Sequence, residues 1–369
     1  MAIGLFPCTR NGVLPHGFIE LNAEVGVDKN RVRIKDIAEE LGLSVSTISR
    51  ALANDKRISE RVRNQVSALA NRWGYSKNPF AFNLNQNRSN HIGLILPEFT
   101  HHFFSLVLKG VDKVVSEKGY NLIVNTHNDD HKKELKAAHT LNNLLVEGII
   151  VCYASNNEDN EGFKFYKECI LSGVPIVFFD RICEDLKASY VTTNDFDGAT
   201  AAIDHLVKTG CRKIAYLCGP EDLSTNFSRE TGYREGLRKN GFATNEALKL
   251  PYIKDIDSWK TELRALLSNH DIDGLFCFSD YIAYDALCLL QELNIKVPEE
   301  ISIIGFAGEP IAAFTRPRIT TVTQPAEHVG KRAAEILFAH LDNIDIQTII
   351  TEVLPTQLIL RDTTKPDRE

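Results

Sequence analysis

The sequence predicts an α/β protein in two unequal parts: a three-helix head containing a helix-turn-helix, and a longer doubly wound body of parallel strands and helices. Three observations carry this. Residues 34–53 hold two short helical patterns joined at a glycine, residues 30–90 are basic on an otherwise acidic chain, and after residue 90 short apolar runs alternate with amphipathic segments. The 369 residues suffice for two or three domains. The predicted division is a tail over 1–30, the head over 31–76, a linker over 77–90 and the body over 91–369.

The head begins with Ile34, Ile37, Ala38 and Leu41, spaced i, i+3, i+4, i+7 as one buried helix face. Gly42 then supplies the tight turn, because glycine takes positive φ without steric cost. Ser44 is placed to cap a second helix, in which Ile48 and Leu52 point inward. Val45, Ser46, Ser49 and Arg50 fall on the opposite face, and a stripe of small polar residues with one arginine suits entry into a DNA major groove. Val62, Val66, Leu69 and Trp73 form the stripe of a third helix, started by Ser59 and stopped by Gly74.

The plain alternative for these residues is a helical hairpin on a globular domain. Charge favours the nucleic-acid reading. Residues 30–90 contain eleven Lys/Arg against five Asp/Glu, a segment charge of +6, and with −7 for the whole chain the remainder carries −13. A basic head on an acidic body fits a polyanion contact confined to one end.

Composition excludes other classes. No run approaches the roughly 18 apolar residues of a membrane span. Residues 1–29 lack a basic start followed by an apolar core, so no signal peptide is expected. They hold Gly4, Gly12, Gly17, Gly26, Pro7 and Pro15 without periodicity, which predicts a disordered tail or an over-extended start ahead of the fold. Met1 is the only methionine, so a later start would need a rarer codon, such as at Val27 or Val32. Eight cysteines form no C-x-x-C pair and sit mostly in apolar runs, as reduced core residues of a cytoplasmic protein would.

In the body, His91–Pro97 reads as a buried parallel strand. A helix over 104–119, a strand over 121–126, a helix over 131–148 and strands over 149–153 and 175–180 follow. The rhythm continues with a helix over 197–209, a strand over 213–218, helices over 227–240 and 258–269, a strand over 274–278, a helix over 282–293 and a strand over 301–306. That is too long for one such sheet, and two halves are expected to join near residues 190 and 322. A cleft between halves is a natural small-molecule site, because ligands sit at the carboxyl ends of parallel strands. The linker carries five asparagines between Lys77 and Asn90, too many for a helix to hold unsupported, although Pro79, Ala81 and Leu84 would suit one that forms on docking. A simple linker is the other reading.

These elements, in this order, resemble the lactose/galactose repressor (LacI/GalR) family of bacterial transcription regulators over about residues 32–362. The resemblance is carried by Lys35-Asp36-Ile37-Ala38 through Ser49-Arg50, Gly74-Tyr75 with Asn78-Pro79, Ile92-Gly93-Leu94-Ile95, Phe179-Asp180-Arg181, Arg229 with Gly232-Tyr233, Ile304-Gly305-Phe306, and Thr320-Thr321-Val322 with Gln324-Pro325. It implies a body like the periplasmic binding proteins, with an N-subdomain of about 91–190 plus 324–353 and a C-subdomain of about 191–323 plus 354–362, joined by three crossovers. It also implies a homodimer on a pseudo-palindromic operator. Val45, Ser46 and Arg50 match base-reading positions, with Ser44, Thr47 and Ser49 as accompanying backbone contacts. Asn78, Ala81 and Leu84 match a hinge helix whose leucine wedges into the minor groove, although Lys77 and Phe82 replace the usual proline and arginine.

For the effector, a sugar or sugar derivative by resemblance, the matching positions are Phe103, Phe104, Asp180, Arg229 and Gln324, with Ser279-Asp280 replacing the usual Asn-Asp. Ala307-Gly308-Glu309 lacks the usual aspartate: either Glu309 takes its place, or the ligand lacks the hydroxyl that it would hold. No cofactor or metal is expected. His127, Asp129, Asp130, His131 and His139 match no standard ligand spacing, and the nucleotide-binding and hydrolase loops are missing, so an enzyme is not expected. The rival reading is a sugar-binding protein without a DNA-regulatory role.

Overall fold

The structure, a computed structural model, describes residues 32–75, 89–154, 161–183, 185–342, 345 and 348–366. The chain divides into two units, a head and a body.

The head is three helices, α1 (Ile34–Leu41), α2 (Val45–Leu52) and α3 (Glu60–Arg72). They close on Ile37, Ala38, Ile48, Ala51, Val66 and Ala70, with Leu41, Leu52, Val62, Leu69 and Trp73 packed around them. Gly42 takes the left-handed conformation at φ 60° and returns its amide to Ala38 and Glu39, ending α1 as the sequence requires. The Ser44 hydroxyl accepts from the Thr47 amide at 3.2 Å and caps α2. Ser59 holds the N-cap position of α3, but its side chain makes no capping bond, so that start is set by backbone geometry alone.

The first subdomain of the body alternates β1 (His91–Leu96), α4 (His102–Glu117), β2 (Asn121–Thr126), α5 (His131–Asn143), β3 (Gly148–Val151), α6 (Glu161–Leu171), β4 (Ile176–Phe179) and β5 (Ser189–Thr193). The second continues with α7 (Asp195–Lys208), β6 (Ile214–Leu217), α8 (Ser224–Lys239), β7 (Lys249–Leu250), α9 (Ile256–Asn269), β8 (Gly274–Cys277), α10 (Asp280–Glu292), β9 (Ser302–Ala307), α11 (Ile311–Phe314) and β10 (Thr320–Thr323). The chain then returns to the first subdomain for α12 (Ala326–Asp342) and β11 (Thr351–Leu354), and crosses a last time into β12 (Gln357–Ile359).

The two six-stranded sheets run β11-β5-β4-β3-β1-β2 and β12-β10-β9-β8-β6-β7. Apolar cores lie on both faces of each, one face of the first against α4 and α12 and the other against α5 and α6. The body is therefore doubly wound. Every pairing is parallel except β12 against β10, an antiparallel edge strand left by the final crossing. The helix expected over 131–148 stops at Asn143, because Leu145 turns into the left-handed region at φ 56° and Gly148 opens β3.

Helices α4 and α12 meet almost backbone to backbone. A Cβ on Gly110 would lie 2.1 Å from the Glu327 carbonyl oxygen, and one on Gly330 2.0 Å from that of Val107. Only glycine fits either place.

Candidate nucleic-acid face and ligand cleft

Helix α2 presents Val45, Ser46 and Arg50 to solvent, with Thr47 and Ser49 half-buried beside them. The Ser44 hydroxyl also bonds the Ser46 hydroxyl at 2.9 Å and the Thr47 hydroxyl at 2.8 Å, which fixes the first turn as a polar rim. Two other head arginines have internal work. Arg57 forks onto Asp55 through contacts of 2.7–3.1 Å, and Arg63 donates to the Ile58 carbonyl at 2.9 Å. Arg50 is exposed, and its charge helps hold the Asp55 carboxyl below the ordinary range, after the larger effect of Arg57. Asn78, Ala81 and Leu84 lie outside the described residues.

In the body, seven of the eight expected effector residues converge. Phe103, Phe104, Asp180, Arg229, Ser279, Glu309 and Gln324 line one cavity of about 360 Å³ between the subdomains. Asp280 does not reach it. That residue has no exposed surface, and its carboxylate accepts the Glu309 amide at 2.6 Å, which makes it a loop anchor.

The cavity floor is an ionic knot. Arg229 places Nε and a terminal nitrogen each 2.8 Å from Asp195 Oδ2, and donates to the Phe278 carbonyl at 2.7 Å. Its guanidinium lies 4.0 Å from the Phe306 ring centroid and 4.6 Å from that of Phe278. Asp195 Oδ1 accepts from Thr193 at 2.6 Å and from Gln324 at 3.1 Å, while the same Gln324 nitrogen donates to Thr193 at 2.7 Å. On the other wall Asp180 sits at φ 59°, and burial pushes its carboxyl up to about 6 against the pull of the Arg181 charge. Arg181 pairs with Asp129 and stands 5.9 Å over the Phe104 ring.

Glu309 is buried at the mouth. Burial alone would raise its carboxyl, but bonds from His101 and from the amides of His102 and Phe103 hold it below the ordinary range. Sequence reasoning missed Arg181, Asp129, Tyr252, Trp259, Phe278 and Tyr281 as cleft residues, and Asp195 as the partner behind Arg229. Arg181 was within reach, next to Asp180 in a quoted motif. Asp195 carried no signal, since its partner lies 34 residues away.

The His/Asp cluster after β2 is dispersed. His127 is buried and bonded to the Cys152 carbonyl at 3.0 Å, Asp130 caps α5 through the Lys133 amide, and His139 packs on Phe165 with ring centroids 4.1 Å apart. Among the described residues no three His, Cys, Asp or Glu side chains are grouped to hold a metal, and no helix is long and apolar enough to cross a membrane.

Residues 33–78 match the family model for bacterial regulatory proteins of the lacI family, and residues 203–364 match that for the periplasmic binding protein-like domain. The ribose operon repressor of Halalkalibacterium halodurans is 29% identical over 333 residues, covering 90% of this chain and 97% of that one. Among solved structures, a complex of the transcriptional regulator CelR with cellobiose aligns at TM-score 0.66 and 26% identity, covering 90% of this chain and 100% of that one. A lac repressor dimer bound to operator and the anti-inducer ONPF aligns at TM-score 0.76 over 90% of this chain and 99% of that one; at 22% identity it speaks for the fold alone.

Proposed function

The chain belongs to the LacI family of bacterial regulatory proteins, and from that premise we propose that it is a cytoplasmic, homodimeric repressor whose hold on operator DNA is set by a small carbohydrate in the cleft. It is a DNA-binding transcription regulator and not an enzyme. The observation that carries the reading is the exposed face of α2, where Val45, Ser46 and Arg50 all stand in solvent on one side of the helix.

Arg50 is the guanine reader, since a guanidinium forks onto O6 and N7. Val45 supplies apolar contact to a thymine methyl, and Ser46 a hydroxyl. Ser44, Thr47 and Ser49 border the phosphates. Asn78, Ala81 and Leu84 match the family's hinge positions by resemblance, and a wedge contact with the minor groove is their proposed role. One head reads one half-site, so a pseudo-palindromic operator needs two copies. The exposed Tyr284 on α10 and Phe314 on the neighbouring α11 offer an apolar face for the second.

The effector is a carbohydrate-class molecule. Aromatic walls at Phe103, Phe104 and Phe278 suit the apolar faces of a sugar ring, and Asp180, Arg229, Ser279 and Gln324 offer acceptors and donors for its hydroxyls. Asp280 supports this wall from behind. The cellobiose held by CelR agrees with this class. The deciding experiment is selection of bound fragments from genomic DNA, followed by gel shift at several salt concentrations. Enrichment of a pseudo-palindrome with salt-sensitive affinity is expected; a protein that ignores every duplex at low salt is a sugar binder without a regulatory role.

A further inference from the structure

Helix α4 starts at the cleft without a cap of its own. His101 occupies the N-cap position, yet its side chain makes no bond to the first turn. The amides of His102 and Phe103 are among the donors that every helix start leaves without an intrahelical partner. They are satisfied from the opposite subdomain: Glu309 Oε2 accepts from the His102 amide at 3.1 Å and Oε1 from the Phe103 amide at 3.4 Å. Two consecutive left-handed residues, Ala307 at φ 97° and Gly308 at φ 76°, turn the chain after β9 so that this carboxylate faces the helix. The Glu309 amide is pinned by Asp280 at 2.6 Å.

A second tie lies beside the first. His101 Nε2 stands 2.9 Å from Glu98 and Nδ1 3.8 Å from Glu309, with the ring edge-on to Tyr281 of the second subdomain at 5.0 Å between centroids. Glu309 is 3% exposed, and the helix start occupies both of its oxygens. The helix start therefore takes one acceptor position on each Glu309 oxygen.

We infer that Glu309 is an internal latch: a carboxylate of one subdomain that caps a helix of the other and ties the two walls of the cleft together. A buried carboxylate on a helix N-terminus gains both from charge-assisted hydrogen bonds and from the helix dipole. A ligand that separates the cleft walls must break this cap; that consequence rests on the effector reading above, and the latch itself does not.

The test is amide hydrogen exchange on the full-length protein without DNA or sugar, paired with small-angle scattering. In the wild type the His102 and Phe103 amides are expected to exchange slowly, although first-turn amides ordinarily exchange fast. Glu309→Ala is expected to speed them about tenfold or more and to enlarge the radius of gyration. Glu309→Gln, which keeps one acceptor, falls between. Protection across β8 and β9 serves as the control for folding, and if Glu309→Ala fails it, Glu309→Gln alone decides. First-turn protection and radius unchanged in a folded variant overturn the latch. Because no nucleic acid is present, failure of the operator experiment leaves this result standing, and the reverse holds too.

Discussion

Glu134 is a carboxylate sunk in the first subdomain, accepting from the Tyr166 hydroxyl and the Ala154 amide, each at 2.6 Å. Burial pushes its carboxyl up to about 7 from an ordinary 4.5, against the pull of those two bonds. The folded value exceeds the unfolded one, so this group's contribution is whole below about pH 4.5 and is lost as the pH rises through about 7. Burial drives His127 the other way, to about 4 from 6.5, so its contribution is whole above 6.5 and is lost as the pH falls toward 4. Glu134→Gln mimics the protonated acid. It is expected to flatten part of the fall in melting temperature between about pH 4.5 and 7, read by thermal unfolding across buffers; a parallel pH profile would exclude Glu134. Arg229 is a second case. Removing it strands Asp195, 3% exposed, without its cation, so Arg229→Ala should cost about 3–5 kcal/mol in urea unfolding, and Arg229→Ala with Asp195→Asn should recover part of that. The resemblance marked Arg229 as a ligand contact; the structure adds that most of its donors serve the fold. A single sequence cannot show that division, because it depends on a partner set by tertiary packing.

Among elements, the legible ones carried their own punctuation. Gly42 and Ser44 bracket the turn of the head through a positive φ and a side-chain acceptor, both local properties readable from residue type. The apolar strands β3, β4, β6 and β8 were equally plain, being buried along their whole length. The edge strands β7, β11 and β12, two to four residues each, went unread, since their state depends on a neighbour's backbone. The α4–α12 contact was also hidden, because its glycines lie more than 200 residues apart and mean something only as a pair. Gly330→Ala should destabilise the body by about 1–3 kcal/mol or more through overpacking against the Val107 carbonyl, measured as a shift in denaturation midpoint. Unchanged stability would mean that the helices can separate freely at that point.

For the whole molecule, charge was the most legible property, +6 on residues 30–90 against −13 elsewhere. It predicts binding that weakens steeply with salt while the acidic body is repelled from the same duplex. Arg50→Ala should cost about 1–3 kcal/mol per half-site and relax preference at one symmetric guanine pair, scored by competition against operator variants. An unaltered base preference would remove Arg50 from readout. The cleft was legible in outline through Phe103, Phe104, Asp180 and Arg229, but its latch was not, since the amide that Glu309 caps lies 207 residues away in the sequence. Gln324 deepens the picture. It lies on the second strand crossing between subdomains and grips Thr193 and Asp195 on the first, while Asp195 grips Arg229. The crossings thus behave as one axle, with a guanidinium spoke reaching from it to the cavity wall. Whatever molecule pushes on that spoke applies torque at the pivot itself.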